Sequence, residues 1–214
     1  MAVVVRRVYS PRSRRPGYRS LGRPKWTFIF IGLCVAVFFL EMLPQFPFES
    51  FSFAPAFAFE QPWTFVTSIF LHAGIEHLFF NMFALFMFGI YLEPRISERR
   101  FLTVFFVAGV LGNAAYMLMS PYGTIPAVGA SGAIYGVMGM LAILQPSLTI
   151  YIFYMPMPMI FAAALWTITE FLGLFVPGDI AHEAHLAGII VGALFGLWTK
   201  KMKKKDVFIW EDWV

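Results

Sequence analysis

Five polar positions stand out within the apolar runs of this sequence, and they are the first places to look for chemistry. They are His77, Asn81, Ser131, Glu170 and His185. If those runs cross a membrane, polar side chains within them are costly, so each is by default a candidate functional residue. A serine hydroxyl beside a neutral imidazole is the minimum arrangement for an activated nucleophile. Ser131 and His185 are therefore a candidate nucleophile and general base.

The depths of three of these residues along their apolar runs agree. His77, Ser131 and His185 each precede the polar or charged residue that closes the run by 14 to 16 residues. At a rise of 1.5 Å per residue, all three lie about 21 to 24 Å from one end of a helix. Three predicted helices thus carry polar residues at one level, which indicates a shared site.

Glycines spaced four residues apart follow the candidate nucleophile and the candidate base. They are Gly132 and Gly136 in one run, and Gly188, Gly192 and Gly196 in the other. This small-xxx-small spacing lets two membrane helices approach closely, so we expect these two helices to touch. Tyr135 is four residues after Ser131 and shares its helix face, where it could pack against the imidazole of His185.

A serine nucleophile also needs hydrogen-bond donors for the oxyanion of a tetrahedral intermediate. Ser131 lies at a predicted helix start, where backbone N–H groups are unpaired and the helix dipole favours negative charge. His77 and Asn81 are four residues apart on one helix face and could add side-chain donors. Both are candidate transition-state-stabilising residues.

The composition supports a polytopic membrane protein. Of the 214 residues, 59% are hydrophobic and 13% charged, and the mean hydropathy is +0.73. This length has room for one bundle of about six spans of about 20 residues. In chain order, we expect the first four spans at 26–43, 77–93, 101–119 and Ser131–Leu144. The fifth runs from about Ile150 or Met155 to Phe175, and the sixth covers 184–198. Residues 44–73 are expected to form an interfacial loop.

Positive charge predicts the orientation of these spans. Of the 16 basic residues, eight lie in residues 1–25, three after the second span and five in the tail from Lys200 to Lys205. Short basic loops stay cytoplasmic, so an even number of spans with both termini inside is expected. Residues 1–25 read as a disordered basic arm, 26–199 as the membrane domain and 200–214 as a cytoplasmic tail. The Arg-rich, acid-free arm also suits a mitochondrial presequence.

Nucleic-acid-binding proteins and metalloenzymes fit this sequence less well. Basic residues at chain ends and in one loop do not form a nucleic-acid-binding face, so no nucleic-acid partner is expected. The single cysteine, Cys34, forms no intrachain disulfide. The segment His182-Glu183-Ala184-His185 is one residue short of the HExxH zinc motif. We therefore expect no metal and no cofactor. The presence of four histidines on one side of the predicted bundle is the remaining argument for a metal.

Three motifs together resemble the rhomboid intramembrane proteases. Gly129-Ala130-Ser131-Gly132 matches GxSG, the segment from His77 to Asn81 matches HxxxN, and the segment from Ala184 to Gly192 matches AHxxGxxxG. The resemblance covers about residues 26 to 198 in the expected order. One departure is Trp63-Thr64, where the family usually carries Trp-Arg. This change leaves the anchoring of the first loop open.

The resemblance implies an all-α, six-helix rhomboid-like bundle and a role for each motif residue. Ser131 and His185 would form a catalytic dyad, with Asn81 and His77 on the oxyanion side. Supporting residues would be Tyr135, Gly129, Gly132, Gly136, Gly188 and Gly192. The implied function is an intramembrane serine endopeptidase that cleaves transmembrane segments near the outer face of a prokaryotic cell membrane. The oligomeric state is left open.

The alternative is a non-catalytic protein of the same fold that binds membrane clients, although such a protein would normally lack Ser131 or His185. We further expect a dyad without an acid. Glu170 would be a hydrated residue near the outer end of its span, and His72 and His182 would be loop histidines near water. Asp179 and Glu183 precede His185 but are poorly placed to orient it.

Overall fold

The chain folds as a helical bundle in a computed structural model that describes residues 23–152, 154–176, 178 and 180–211, with only the backbone described for 203–211. Its helices are α1 (Lys25–Glu41), α2 (Phe48–Phe51), α3 (Thr64–Thr67), α4 (Ile75–Leu92), α5 (Glu98–Met119), α6 (Ser131–Leu144), α7 (Met159–Gly173) and α8 (His182–Glu211). The helical class is confirmed. Most of the predicted basic arm, residues 1–22, lies outside the described residues, as do Asp179 and residues 212–214.

Within the described part of the chain, two helices, α4 and α5, are long and apolar enough to cross a membrane, and α6 and α7 are shorter apolar helices. The count of six spans therefore stays a prediction. The bounds predicted for the fourth span agree with those of α6.

The predicted start of the fifth span is wrong. Instead of a helix from Ile150 or Met155, the chain forms an antiparallel hairpin of β1 (Thr149–Ile152) and β2 (Met155–Pro158). Pro156 and Pro158 have no N–H to donate to a helix, and Pro158 is extended with ψ of 139°. The helix α7 therefore begins only at Met159.

The predicted boundary at residue 200 between the membrane domain and a cytoplasmic tail stays a prediction, because it concerns the edge of the membrane and not the end of a helix. The helix α8 continues through it to Glu211. The segment after Gly196 contains neither glycine nor proline and is rich in lysine, a good helix former, so nothing in it ends the helix.

The helix α6 is the centre of the bundle. Ten of its 14 residues are buried, and it packs against α4, α5, α7 and α8. The helix α1 packs against α4, and its Phe30 also stacks on Phe105 of α5 with ring centroids 4.3 Å apart. Because four helices surround α6, the position of its N-terminal end is well fixed within the bundle.

A carboxylate from the end of α4 caps the start of α1. The backbone N–H groups of Trp26 and Thr27 and the hydroxyl of Thr27 all donate to Glu93, each at 2.8 Å. Glu93 is buried. These bonds satisfy N–H groups that have no acceptor within their own helix.

The loop between α1 and α4 is packed against the segment that precedes Ser131. Phe53 is fully buried and forms an isolated antiparallel bridge with Ala127. Asn113 of α5 donates to the carbonyl of Phe65 and to the hydroxyl of Ser68, each at 2.9 Å. These contacts anchor the loop, and through it the start of α6.

At the departure from the family pattern, the loop is held by other bonds. The indole of Trp63 donates to the carbonyl of Ser50 at 2.8 Å, and the hydroxyl of Thr64 donates to the carbonyl of Gln61 at 2.6 Å. Thr64 is buried. Its short side chain completes a local turn, where an arginine would have reached further.

Candidate active site

The start of α6 is set by a glycine turn. Gly129 has a φ of +117°, which side chains other than glycine rarely adopt, and its N–H donates to the carbonyl of Ser68 at 2.9 Å. A Cβ atom at Gly129 would also overlap the ring of His77. The glycine thus brings His77 close to the chain just before Ser131.

Ser131 and His185 are hydrogen-bond partners. Nε2 of His185 lies 2.7 Å from Oγ of Ser131. This contact depends on the close approach of α6 and α8, since a Cβ atom at Gly188 would overlap the carbonyl of Gly132 and one at Gly192 the carbonyl of Gly136. The predicted glycine contact between these helices is therefore present.

Tyr135 stacks on the imidazole of His185. The two ring centroids are 4.5 Å apart, and the ring planes are 23° from parallel. The phenol thereby restricts rotation of the imidazole, which is the arrangement that the four-residue spacing from Ser131 predicted.

The prediction of a hydrated Glu170 is wrong. Glu170 is 8% exposed, and its Oε2 lies 2.9 Å from Nδ1 of His185 and 2.6 Å from Nδ1 of His182. Its Oε1 accepts a hydrogen bond from the hydroxyl of Tyr135. A buried carboxylate therefore joins the far side of the imidazole, where no acid was expected.

A sequence signal for the burial of Glu170 existed. Glu170 follows Met159, Ala163 and Trp166 at spacings of four, three and four residues, which places all four on one face of a helix. Met159 and Ala163 are buried and Trp166 packs against the core. The position of Glu170 on the apolar face of α7 was thus readable from the spacing.

Two further histidines are less hydrated than expected. His182 is the first residue of α8, and its side chain is only 19% exposed beside Glu170. His72 is buried, and neither of its ring nitrogens has a partner in the described part of the chain. Burial, aided by nearby His77, lowers the pKa of His72 to about 4.

Asn81 and His77 line the same cavity as Ser131. The amide nitrogen of Asn81 donates to the carbonyl of His77 at 2.9 Å, and its Oδ1 is buried without a partner among the described residues. Nearby, the first-turn N–H groups of α6 have no acceptor in their helix, and Ala130 offers no side-chain cap. Backbone and side-chain donors are therefore available beside the serine hydroxyl.

A cavity of about 680 Å³ joins these groups. Ser131, His185, His77 and Asn81 line one part of it, and the rest of its wall is largely apolar. The apolar part comes from α4, α6, α7 and the hairpin and includes Phe80, Phe83, Met87, Met138, Ile152 and Trp166. The cavity can thus hold an apolar chain with its backbone next to the polar groups.

Among the residues that the structure describes, Glu170, His182 and His185 are also close enough to hold a metal ion, with donor atoms within 4.8 Å of one another. Ligands of one tetrahedral zinc are about 3.3 Å apart for bonds near 2.0 Å. The separations of 2.6 and 2.9 Å at Glu170 Oε2 are instead those of direct hydrogen bonds.

Comparison with known proteins gives the same family as the motifs. A family model described as the Rhomboid domain matches residues 60–201. The chain is 38% identical over 130 residues to "Rhomboid protease GluP" of Bacillus subtilis, covering 56% of this chain and 24% of that protein. It is 32% identical over 143 residues to "Putative rhomboid protease YdcA" of the same organism, covering 67% and 70%.

A plant relative carries a different name. The chain is 32% identical over 90 residues to "Inactive RHOMBOID-like protein 8" of Arabidopsis thaliana, covering 42% of this chain and 25% of that protein. The chain spans only about a quarter of this protein and of GluP. The family model nevertheless matches more than half of the chain, so this integral membrane protein belongs to the rhomboid family.

Proposed function

We propose that the protein is an intramembrane serine endopeptidase with Ser131 as nucleophile and His185 as general base. The observation that carries the proposal is the 2.7 Å separation of Ser131 Oγ from His185 Nε2 at the edge of an apolar cavity. A nucleophile within hydrogen-bond reach of a base that a third group orients is the signature of covalent acyl-transfer catalysis.

The reaction then follows in two steps, acylation of Ser131 and hydrolysis of the acyl-enzyme. Ser131 Oγ attacks the carbonyl carbon of the scissile peptide, and its proton passes to Nε2 of His185. The tetrahedral intermediate collapses to an acyl-enzyme while His185 gives that proton to the departing amine nitrogen. Water attacks the ester with His185 again taking the proton, and Ser131 recovers it as the new carboxyl product leaves.

Charge on the tetrahedral oxygen needs donors that are already in place. The side chains of Asn81 and His77 and the first-turn N–H groups of α6 are the candidates. The dipole of α6 adds to them, since the N-terminal end of a helix favours negative charge. We assign no chemical role to a metal or cofactor.

The apolar cavity supports a transmembrane segment as the substrate. Its wall between α4 and α7 carries phenylalanine and tryptophan side chains, which suit a lipid-facing chain. We propose that both termini are cytoplasmic, that six spans cross the membrane of a prokaryotic cell, and that the site opens outward. The distribution of basic residues supports this orientation.

The second candidate is a non-catalytic protein of the same fold that binds membrane clients. The relative named inactive favours keeping it. The presence of both Ser131 and His185 argues against it, because a binding protein has no need of a serine hydroxyl hydrogen-bonded to an imidazole.

Covalent labelling decides between the two candidates. The purified protein is reconstituted with a labelled model transmembrane substrate and, separately, with a fluorophosphonate that reacts with activated serines. Cleavage and labelling at Ser131 are expected, and Ser131→Ala should abolish both. Ser120→Ala, a serine that does not line the cavity, is the matched control and should retain both. Absence of labelling and cleavage in the unmodified protein would refute the protease.

A further inference from the structure

We infer that Glu170 is a positioning residue that orients His185, so that the reacting groups form a chain from Ser131 through His185 to a buried carboxylate. This inference rests on the proposed function. It replaces the expected acid-free dyad, since the carboxylate lies 2.9 Å from the imidazole nitrogen opposite the one that faces Ser131.

The contact determines which nitrogen carries the proton. A carboxylate can only accept hydrogen bonds, so Nδ1 of His185 donates to Glu170. In the neutral ring Nε2 then has a free lone pair, which accepts the hydroxyl proton of Ser131. Without the carboxylate, the other tautomer, which cannot act as a base toward Ser131, becomes available.

Glu170 is itself held in place. Its two oxygens receive hydrogen bonds from Tyr135, His182 and His185, so the carboxylate has few other orientations. Tyr135 also stacks on the imidazole. One tyrosine therefore fixes both the plane of the histidine ring and the acid that hydrogen-bonds to its edge.

His182 is the second histidine on this carboxylate, and the fold makes room for it. A Cβ atom at Gly173 would overlap the ring of His182, so only glycine lets the ring lie against the end of α7. The last turn of α7 and the first turn of α8 are thus joined through Glu170. The acid nearest in sequence, Glu183, makes no hydrogen bond to His185 within the described chain.

The first test separates turnover from substrate binding. Glu170→Gln should lower kcat for the model substrate by about 10⁴-fold, the scale seen when the acid of a serine protease triad becomes its amide, with KM changed less than about threefold. Glu170→Asp should restore part of the loss because it keeps a carboxylate. Glu183→Gln is the matched control and should leave kcat within about twofold. An unchanged kcat in Glu170→Gln would overturn the inference.

The second test does not depend on turnover. In Ser131→Ala protein labelled with ¹⁵N-histidine, the ring nitrogen shifts should report His185 protonated at Nδ1, with the resonance assigned by its loss in His185→Gln. Adding Glu170→Gln should move the population toward the Nε2-protonated form. The same tautomer with and without the carboxylate would refute the positioning role, whereas failure of serine labelling alone would refute the protease and leave this result standing.

Discussion

Gly188 packs directly against the carbonyl oxygen of Gly132, leaving no space for a side chain between them. The contact lies one residue after Ser131 on α6 and three after His185 on α8. The separation of these two helices therefore sets the distance between the serine oxygen and the imidazole, and bulk at the contact acts on catalysis directly.

Gly188→Val should inactivate the protein by separating α6 from α8. A displacement of about 1 Å at reacting groups can cost about 10²-fold in rate, so at least that loss of kcat is expected. Cleavage of the model substrate is the measurement. Gly32→Val is the control, because Gly32 of α1 has no atom within 4 Å of its Cβ position, and it should keep full activity. An active Gly188→Val protein would show that the contact is not needed.

Asn81→Ala should lower kcat by about 10²- to 10³-fold, the usual scale for losing one oxyanion donor. The residue to compare is Asn113, also buried, whose amide donates to Phe65 and Ser68 instead. Asn113→Ala should reduce the free energy of unfolding by about 1–3 kcal/mol with a smaller effect on kcat. Equal rates for Asn81→Ala and the unmodified protein would remove Asn81 from the mechanism.

Acid should destabilise the fold partly through His72. Its pKa is about 4 in the folded protein against an ordinary 6.5 because of burial. The unfolded chain therefore binds the proton first, so the stability present above pH 6.5 is lost as pH falls from 6.5 toward 4. Denaturant titrations in mixed micelles across this range measure the loss. His72→Phe removes the titrating ring and should flatten the curve, and an unchanged slope would assign the acid sensitivity to other groups.

Labelling from outside tests the orientation. In a Cys34→Ser background, a cysteine at Glu49 should react with an impermeant thiol reagent added to intact cells, whereas one at Arg99 should react only after lysis. Both positions are exposed, so the side of the membrane on which each lies, and not burial in the protein, determines whether the reagent reacts. Cys34 itself is fully buried, and the unmodified protein should stay unlabelled. Labelling of the Arg99 position alone would reverse the proposed topology.

The sequence predicted those features that repeat along a helix. Ser131 at the start of a helix, the glycine contact between α6 and α8, and the stacking of Tyr135 all followed from spacings of three or four residues. The hairpin at 149–158 was missed because its strands are apolar like the helices around them, and only the two prolines distinguish them.

The contact of Glu170 with His185 and the burial of His72 could not be read from local pattern alone. The carboxylate meets His185 across the packing of α7 on α8, a relation between distant parts of the chain. His72 looked like a loop residue, yet the loop that carries it is folded into the bundle. The burial of a loop residue depends on how the loop packs against the helices, and the spacing of residues within the loop does not predict that packing.

The cap on α1 has a consequence for biogenesis. Trp26 and Thr27 leave the ribosome well before Glu93, their acceptor, which lies 66 to 67 residues further along the chain. Until Glu93 has been synthesised, these N–H groups must bond to water or to other acceptors. Only once the end of α4 has formed can the carboxylate replace those acceptors, so the docking of α1 on α4 is a late step of assembly.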